Sequence, residues 1–571
     1  MRVLLSSVFK PYAVDDSFGR KENVMELFHN QVTREQGIFS LRMNHPSSGL
    51  HLIAENLDSP ALVLDFPSLA EFEREVAKGY DVVGLSFIVP NFAKAQHMAK
   101  RVRELSPRTR IVLGGHGTTV PDIEGLIEHD ALCRGDGVAF MREYLGEQVD
   151  KPVRHPRVYS AFNRHFLGAP LSGTSAMVMP GNGCPNACDF CCTTHFFQKK
   201  YTAFLETGRQ MYDVLCDLEK NLGATEFFVL DENFLKHRER TVELLSLMEA
   251  NGKQWSFGLF SSAESIAQYG LDVLSRLGIF FLWIGVESKR HVYAKNKGAD
   301  LRALVQGLRS RGACVLASGI LFLDHHTKEN IDEDIDYLIG LEADFVQFMQ
   351  LGPLPGTALY QRVEASGKLR KDVPYEEWHG QKQVWFDHPG FTAAETETVL
   401  RAAFRRDYLT NGPSMLRMVE TYLRGYQNLA DATEPYLVGR RGLLEQRLRE
   451  HRPSLAVIAR HAPTKAARER ARATEGELVR LLGPMDAVAQ AKTLAVRATA
   501  FAEAVRLATV GSARQPPTQW TPYRQAPVSL ATRTRGRFEA AVSAQADRAR
   551  AALAPGLAAA RWMLGGGALA R

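Results

Sequence analysis

GNGCPNACDFCCTT, residues 181–194, gathers four of the chain's seven cysteines into nine positions. Cys184, Cys188 and Cys191 follow a C-x3-C-x2-C spacing, which would line one face of a helix. Gly181, Asn182, Gly183 and Pro185 argue instead for a loop that curls around something. Just before it, SAMVMP (175–180) reads as a buried strand. After it come EFFVLD (226–231), SFGLF (256–260), FFLWIGV (280–286), VLASGILFL (315–323) and DFVQFMQL (344–351), separated by helical stretches. Six successive βα units predict an incomplete parallel barrel with its chemistry at the C-terminal strand ends. The cysteine loop follows the first strand, so it lies at that end.

Working outward, residues 1–150 carry a separate alternation. RVLLSS (2–7), ALVLDF (61–66), DVVGLSF (81–87), RIVLGG (110–115) and DALCRG (130–135) have the continuous apolar character of buried parallel strands. NFAKAQHMAKRVRELSP is an amphipathic helix ended by proline. The predicted fold class is α/β: a Rossmann-like sheet over 1–150, a polar connector over 151–173, and a partial (β/α)6 barrel of TIM type over 174–394. An α-helical region over 395–571 completes the chain. Doubly wound sheets bind ligands at the carboxyl ends of their strands.

Composition fits this plan. The chain has 571 residues, 45% hydrophobic and 23% charged, enough for several packed domains. Net charge is +6, yet residues 451–571 hold 19 Lys/Arg against 7 Asp/Glu, so the rest is mildly acidic. Such a basic helical tail reads first as a solvated face, second as a contact for nucleic acid or anionic lipid; no nucleic-acid partner is expected. The last stretch, LAPGLAAARWMLGGGALAR (553–571), is expected to be disordered. No apolar run approaches the roughly 20 residues of a membrane span, and the N-terminus lacks a secretory pattern. A cytoplasmic protein is expected. Seven cysteines, mostly clustered, do not form a disulfide framework in a chain this large.

Two metal chemistries fit the cysteine loop. Three thiolates on a four-iron cluster leave one iron without a protein ligand, an open position for chemistry. Alternatively, His195 completes a closed Cys3His zinc site with Cys184, Cys188 and Cys191. Zinc bracing suits small modules with little core, and it has no need of the acids at the downstream strand ends. Cys192 is expected to point elsewhere as a packed thiol. Cys133, Cys216 and Cys314 read as core residues. Phe196, Phe197, Trp283 and Trp385 are candidates for a cavity lining, against the commoner reading as core.

GNGCPNACDFC resembles the signature loop of radical S-adenosylmethionine enzymes, including an aromatic residue, Phe190, before the third cysteine. The resemblance extends over roughly residues 171–400. It implies a 4Fe–4S cluster on Cys184, Cys188 and Cys191, with S-adenosylmethionine chelating the open iron. One electron would then yield an adenosyl radical that removes hydrogen from unactivated carbon. VLDENF (229–234) is similar to the acidic motif after the second strand and would place Glu232 at the amino group of S-adenosylmethionine. IGVES (284–288) is similar to the fourth-strand motif, with Glu287 as a polar contact. SGILFLDHHT (318–327) and GPLPGT (352–357) resemble the fifth- and sixth-strand segments. A carboxylate at a strand end also caps helices, and for Asp231 both readings stand open.

One large class of these enzymes carries an N-terminal cobalamin-binding domain, and residues 1–150 resemble it. NHPSSGLHLIAENL (44–57) and IVLGGHGTTVPDIEGLIEHDALCRGDG (111–137) carry the likeness. It implies a corrin against Gly114, Gly115 and His116, with glycines admitting the flat ring. Thr118 and the turn holding Gly135 and Gly137 would bond its tail. The histidine that ligates cobalt in many such domains has no counterpart in FKPYAVDDSFGRKEN (9–23). The implied reaction is methyl transfer to an unactivated carbon of a small molecule, lipid, peptide or natural-product precursor. It implies a reducing donor such as flavodoxin or ferredoxin, and oxygen sensitivity. Alternatives are a cyclisation or rearrangement without net methyl transfer and, from another class, a non-catalytic iron–sulfur or cobalamin sensor.

Overall fold

The computed structural model describes residues 1–22, 27–162, 165–166, 169–170, 174–511 and 513–524; the stretch expected to be disordered, 553–571, lies outside them. Two six-stranded sheets organise the chain. The first contains β1 (Val3–Ser7), β2 (Ala61–Asp65), β3 (Val82–Ser86), β4 (Arg110–Gly114) and β5 (Ala131–Leu132), all parallel. Alternate side chains enter opposite cores. Leu4, Leu64, Val83 and Leu113 meet Phe72, Met98 and Val102 from helices Leu69–Val76 and Phe92–Leu105. Val3, Leu5, Val63 and Val112 meet Leu50, Ala54 and Met141 from helices Ser48–Asn56 and Gly137–Leu145. Burial on both faces explains why these strands read as apolar runs without alternation.

The second sheet contains β6 (Thr174–Val178), β7 (Ala224–Val229), β8 (Ser256–Ser261), β9 (Ile279–Glu287), β10 (Cys314–Leu321) and β11 (Phe345–Gln350). They are parallel and follow chain order across the sheet, with β6 and β11 at its two edges. This is the open, partial barrel. Its outer face packs on helices such as Gly208–Leu222, Arg238–Ala250 and Leu301–Ser310. Its inner face is aromatic, and part of the filling comes from the N-terminal stretch. Phe28 lies 5.5 Å from Phe345 and 6.1 Å from Phe281, and His45 stacks on Phe228 at 5.2 Å.

The carboxyl ends of the two sheets face each other. Trp378 and Trp385, stacked at 5.5 Å, belong to the same apolar cluster as Val89 and Phe92 of the first unit. Phe92 also meets Tyr375 at 5.1 Å, and His116 meets Phe196 at 4.7 Å.

Among the described residues, the C-terminal region holds five helices, from Ala393–Asn411 to Ala487–Thr509. Part of its basic charge is used internally. Buried Arg447 pairs with Glu226 of β7 at 2.6 Å, Arg452 with Glu475 at 2.8 Å, and Arg440 donates to the carbonyls of Trp255 and Arg276. One element had no sequence signal: β12 (Gln519–Tyr523), within the Pro-rich break, returns to the first sheet and pairs antiparallel with β2. Proline confined to an edge strand is tolerated because its missing N–H faces away from the ladder. Tyr523 then delivers its hydroxyl to His51 Nδ1 (2.7 Å), whose Nε2 meets Asp65 (2.7 Å), all three buried. No helix among the described residues is long and apolar enough to cross a membrane.

Candidate active site

The cysteine loop leaves β6 and is anchored on several sides. Gly181–Asn182 pairs with Thr202–Ala203. Thr194 Oγ1 donates to the Cys184 carbonyl at 3.1 Å, and Lys236 bonds Asn186. Asp189 accepts from the Leu359 N–H through its carbonyl (3.0 Å) and from Arg362 through its carboxylate (2.8 Å). Gly183 must be glycine: its φ is +88°, and a Cβ there would meet the Lys200 carbonyl at 2.1 Å.

Cys184, Cys188 and Cys191 border one cavity of about 480 Å³, together with Glu232 and Lys295. Burial raises the Cys184 thiol pKa and pushes that of Cys188 up to about 11. A metal binding here would therefore displace protons. The sulfurs do not close on a single ion. Among the described residues, the only group of three or more His, Cys, Asp or Glu with ligand atoms within 4.8 Å of one another is His325, His326 and Asp334. A tetrahedral zinc with bonds of about 2.3 Å holds its sulfurs about 3.8 Å apart; a cubane spreads them wider. His195 borders the neighbouring apolar cavity instead, so the Cys3His arrangement is not assembled. Three thiols bordering one cavity fit the donor set of the iron–sulfur alternative. Cys192 also turns to that apolar cavity, its thiol pushed up to about 12 by burial.

The neighbouring acids divide the work. Asp231 is buried; it accepts from Arg240 Nη2 and Tyr201 Oη, both at 2.8 Å, and from the Asn233 N–H at 3.0 Å. It holds the turn together. Glu232, one residue on, is exposed, but into the space between the sheets. The scarcity of water there pushes its carboxyl up to about 7, against the opposing pull of the Gly183 backbone. Glu287 sits at the end of β9 with φ +62°, beside a register shift after Gly285. Its carboxylate is taken by Lys295, in contact beside it. Gly285 makes room, since a Cβ there would lie 2.5 Å from Lys295 Nζ. Burial alone would lower the Lys295 pKa, but Glu287 and Cys188 together raise it, so the ammonium stays charged. Lys295 is thus the cation of the thiol cavity, and no motif marked it in the sequence.

A second cavity, about 410 Å³, opens at the carboxyl ends of β3 and β4. Gly114, Gly115, His116, Gly135 and Gly137 border it, with Ser47 and Ser48 and an apolar floor that includes Leu5, Leu52 and Val112. Thr118 does not; it is buried, and its hydroxyl donates to the Gly115 carbonyl. Cβ atoms at Gly115 and Gly117 would strike Phe87, at 2.6 Å and 2.2 Å, so the protein's own packing demands them. His116 remains neutral, its pKa lowered to about 4 by burial, and its Nε2 has no partner. An apolar floor with serines and backbone amides at the rim fits a large flat group with a polar edge. This cavity shares Glu232 and Asn182 with the thiol cavity.

The third cavity, about 690 Å³, joins all of this. It runs from Phe190, Cys191 and Glu287 to His116 and Thr119 of the first unit, and its walls include Trp283, Trp378 and Trp385. Three of the four aromatics singled out in the sequence, Phe196, Trp283 and Trp385, line it, while Phe197 borders the second cavity. Gln350, the last residue of β11, read only as part of a buried strand, and Trp378 and His379 lie in the irregular stretch beyond GPLPGT, where no motif marked them.

No protein-family model matches the chain. It is 22% identical over 351 residues to an uncharacterized methyltransferase of Pyrococcus horikoshii, covering 55% of this chain and 75% of that one. It is 22% identical over 351 residues to the anaerobic magnesium-protoporphyrin IX monomethyl ester cyclase of Cereibacter sphaeroides, covering 54% of this chain and 56% of the cyclase. Among solved structures, the radical S-adenosylmethionine methyltransferase TsrM of Kitasatospora setae, with cobalamin and an iron–sulfur cluster bound, aligns at a TM-score of 0.48 and 14% identity, over 80% of this chain and 99% of that one.

Proposed function

We propose that this chain is a cobalamin-dependent radical S-adenosylmethionine enzyme that transfers a methyl group to an unactivated carbon of a small molecule. The observation that carries the reading is the meeting of three cavities. The thiol cavity and the cavity at the β3–β4 ends share Glu232, and both open on the same large apolar space. The distant relatives include a methyltransferase and a ring-forming cyclase.

In this reading Cys184, Cys188 and Cys191 hold the 4Fe–4S cluster, while Gly114, Gly115, His116, Gly135 and Gly137 border cobalamin. When bound, the cluster supplies the electron that cleaves S-adenosylmethionine, and cobalamin carries the methyl group. The chain's residues do the rest. Glu232 pairs with the amino group of S-adenosylmethionine and Lys295 with its carboxylate; Glu287 keeps Lys295 extended across Gly285. The tryptophan-lined walls hold the substrate and exclude water. The electron donor is a small reducing protein such as flavodoxin or ferredoxin, in the cytoplasm.

The test is anaerobic reconstitution with iron, sulfide and hydroxocobalamin. The expected content is about four irons and one cobalt per chain, with S-adenosylhomocysteine and 5′-deoxyadenosine formed together in the presence of substrate. A single zinc per chain would overturn the reading. 5′-Deoxyadenosine without S-adenosylhomocysteine would move it to cyclisation or rearrangement.

A further inference from the structure

The 690 Å³ cavity carries information about its occupant. Only two charged side chains line it, and both are already engaged. Glu287 pairs with Lys295, and the half-exposed Arg134 donates to the Thr118 carbonyl (3.1 Å) and to Glu124 (3.3 Å). Of the three lining histidines, His116 and His379 do not replace that charge: burial lowers the His116 pKa to about 4 and the His379 pKa to about 3. A charged group set against the Gln350–His379 wall would meet no counter-charge there, and unpaired charge in an apolar site is strongly disfavoured.

Two buried polar atoms on one wall have no partner. His379 is 6% exposed and Gln350 3%. The Gln381 N–H donates to His379 Nδ1 at 3.2 Å, which fixes the neutral ring's proton on Nε2, and that nitrogen bonds nothing. Gln350 Nε2 donates to the Lys382 carbonyl at 3.2 Å; flipping the amide would set two oxygens against each other. Its Oε1 is therefore the free end, and it too bonds nothing. The Gln350 N–H donates to the Gly380 carbonyl at 3.0 Å, so both groups stand on one hydrogen-bonded patch at the end of β11. One is an unused donor, the other an unused acceptor. Buried polar groups in proteins are nearly always paired.

We propose that the cavity takes a neutral, mainly apolar ring molecule that offers an acceptor to His379 Nε2–H and a donor to Gln350 Oε1, as a secondary amide or lactam does. The proposal rests on the functional reading above for the cavity's role as substrate site, but its binding chemistry stands on the lining alone. Carboxylated, phosphorylated and quaternary ammonium compounds would find no counter-charge at this wall.

The test uses three tricyclic probes of one shape: phenanthridinone, a lactam; phenanthrene, a hydrocarbon; and phenanthrene carboxylate, an anion. Equilibrium dialysis against reconstituted holoprotein without reductant gives the affinities, so no turnover is required. Phenanthridinone is expected to bind at least about tenfold more tightly than phenanthrene, a modest yield for two buried hydrogen bonds, and the carboxylate more weakly than either. Gln350→Leu and His379→Phe are each expected to erase most of the lactam's advantage while leaving phenanthrene affinity within about twofold; two variants guard against one failing to fold. Equal binding of lactam and hydrocarbon, preference for the carboxylate, no binding of any probe, or an unchanged preference in the folded variants would overturn the proposal. Holoprotein that prefers the lactam but never forms S-adenosylhomocysteine would refute methyl transfer and leave this inference standing.

Discussion

Asp231 and Glu232 are adjacent acids with opposite fates, and replacing Asp231 separates fold from chemistry. The Asp231 and Arg240 side chains are 1% and 2% exposed and meet at 2.8 Å. Arg240 otherwise reaches Tyr201 Oη at 2.8 Å and the Leu205 carbonyl at 3.3 Å, and its Nε has no partner. Asp231→Asn therefore leaves a buried guanidinium with no contacting anion. Breaking a buried pair from one side costs about 3–5 kcal/mol. With a urea dependence near 3 kcal/mol per molar, the unfolding midpoint should fall by about 1 M or more. The assay is urea unfolding followed by tryptophan fluorescence, since Trp255 and Trp283 report on this sheet. Asp231→Asn combined with Arg240→Met keeps the acceptor for the Asn233 N–H and removes the stranded charge. It should recover to within about 1 kcal/mol of the parent. Glu232→Gln, facing the cavity, should change stability by no more than about 0.5 kcal/mol. A midpoint shift of under about 0.3 M for the Asn variant, or a double variant no better than the single one, would refute the assignment of Asp231 to the fold.

Three further outcomes are expected. Because the Glu232 pKa is raised to about 7, its carboxyl is neutral below that pH and must lose a proton to pair with an ammonium group. Affinity for S-adenosylmethionine, measured by equilibrium dialysis, should fall by up to about tenfold per pH unit below 7, and Glu232→Gln should flatten the profile. Lys295→Met strands the Glu287 carboxylate and should lose both stability and S-adenosylmethionine binding; adding Glu287→Gln should restore the unfolding midpoint but not the binding. Tyr523→Phe leaves the buried His51 Nδ1 without its partner, at a cost of about 1–3 kcal/mol, and faster hydrogen exchange over residues 46–56 is its signature.

Much of the architecture was legible in the sequence. Strands buried on both faces write themselves as apolar runs, and all eleven parallel strands appear within a few residues of where those runs lie. The cysteine loop was legible because glycine, proline and clustered thiols have few other uses. Local chemistry alone left iron and zinc both open, and among the described residues His195 and the three thiols are not gathered as tightly as a closed zinc site requires.

What the sequence determined was the set of local conformations, since hydrophobic period, turn residues and ligand spacing act between near neighbours in the chain. What only the tertiary structure decided was which distant groups meet. Lys295 reaches Glu287 across Gly285, Tyr523 travels 472 positions to His51, and Gln350 and His379 arrive unpaired on one wall. Such meetings depend on how two sheets face each other, and that follows from the packing of Trp378 and Trp385 into the first unit's core, which no window of neighbouring residues encodes.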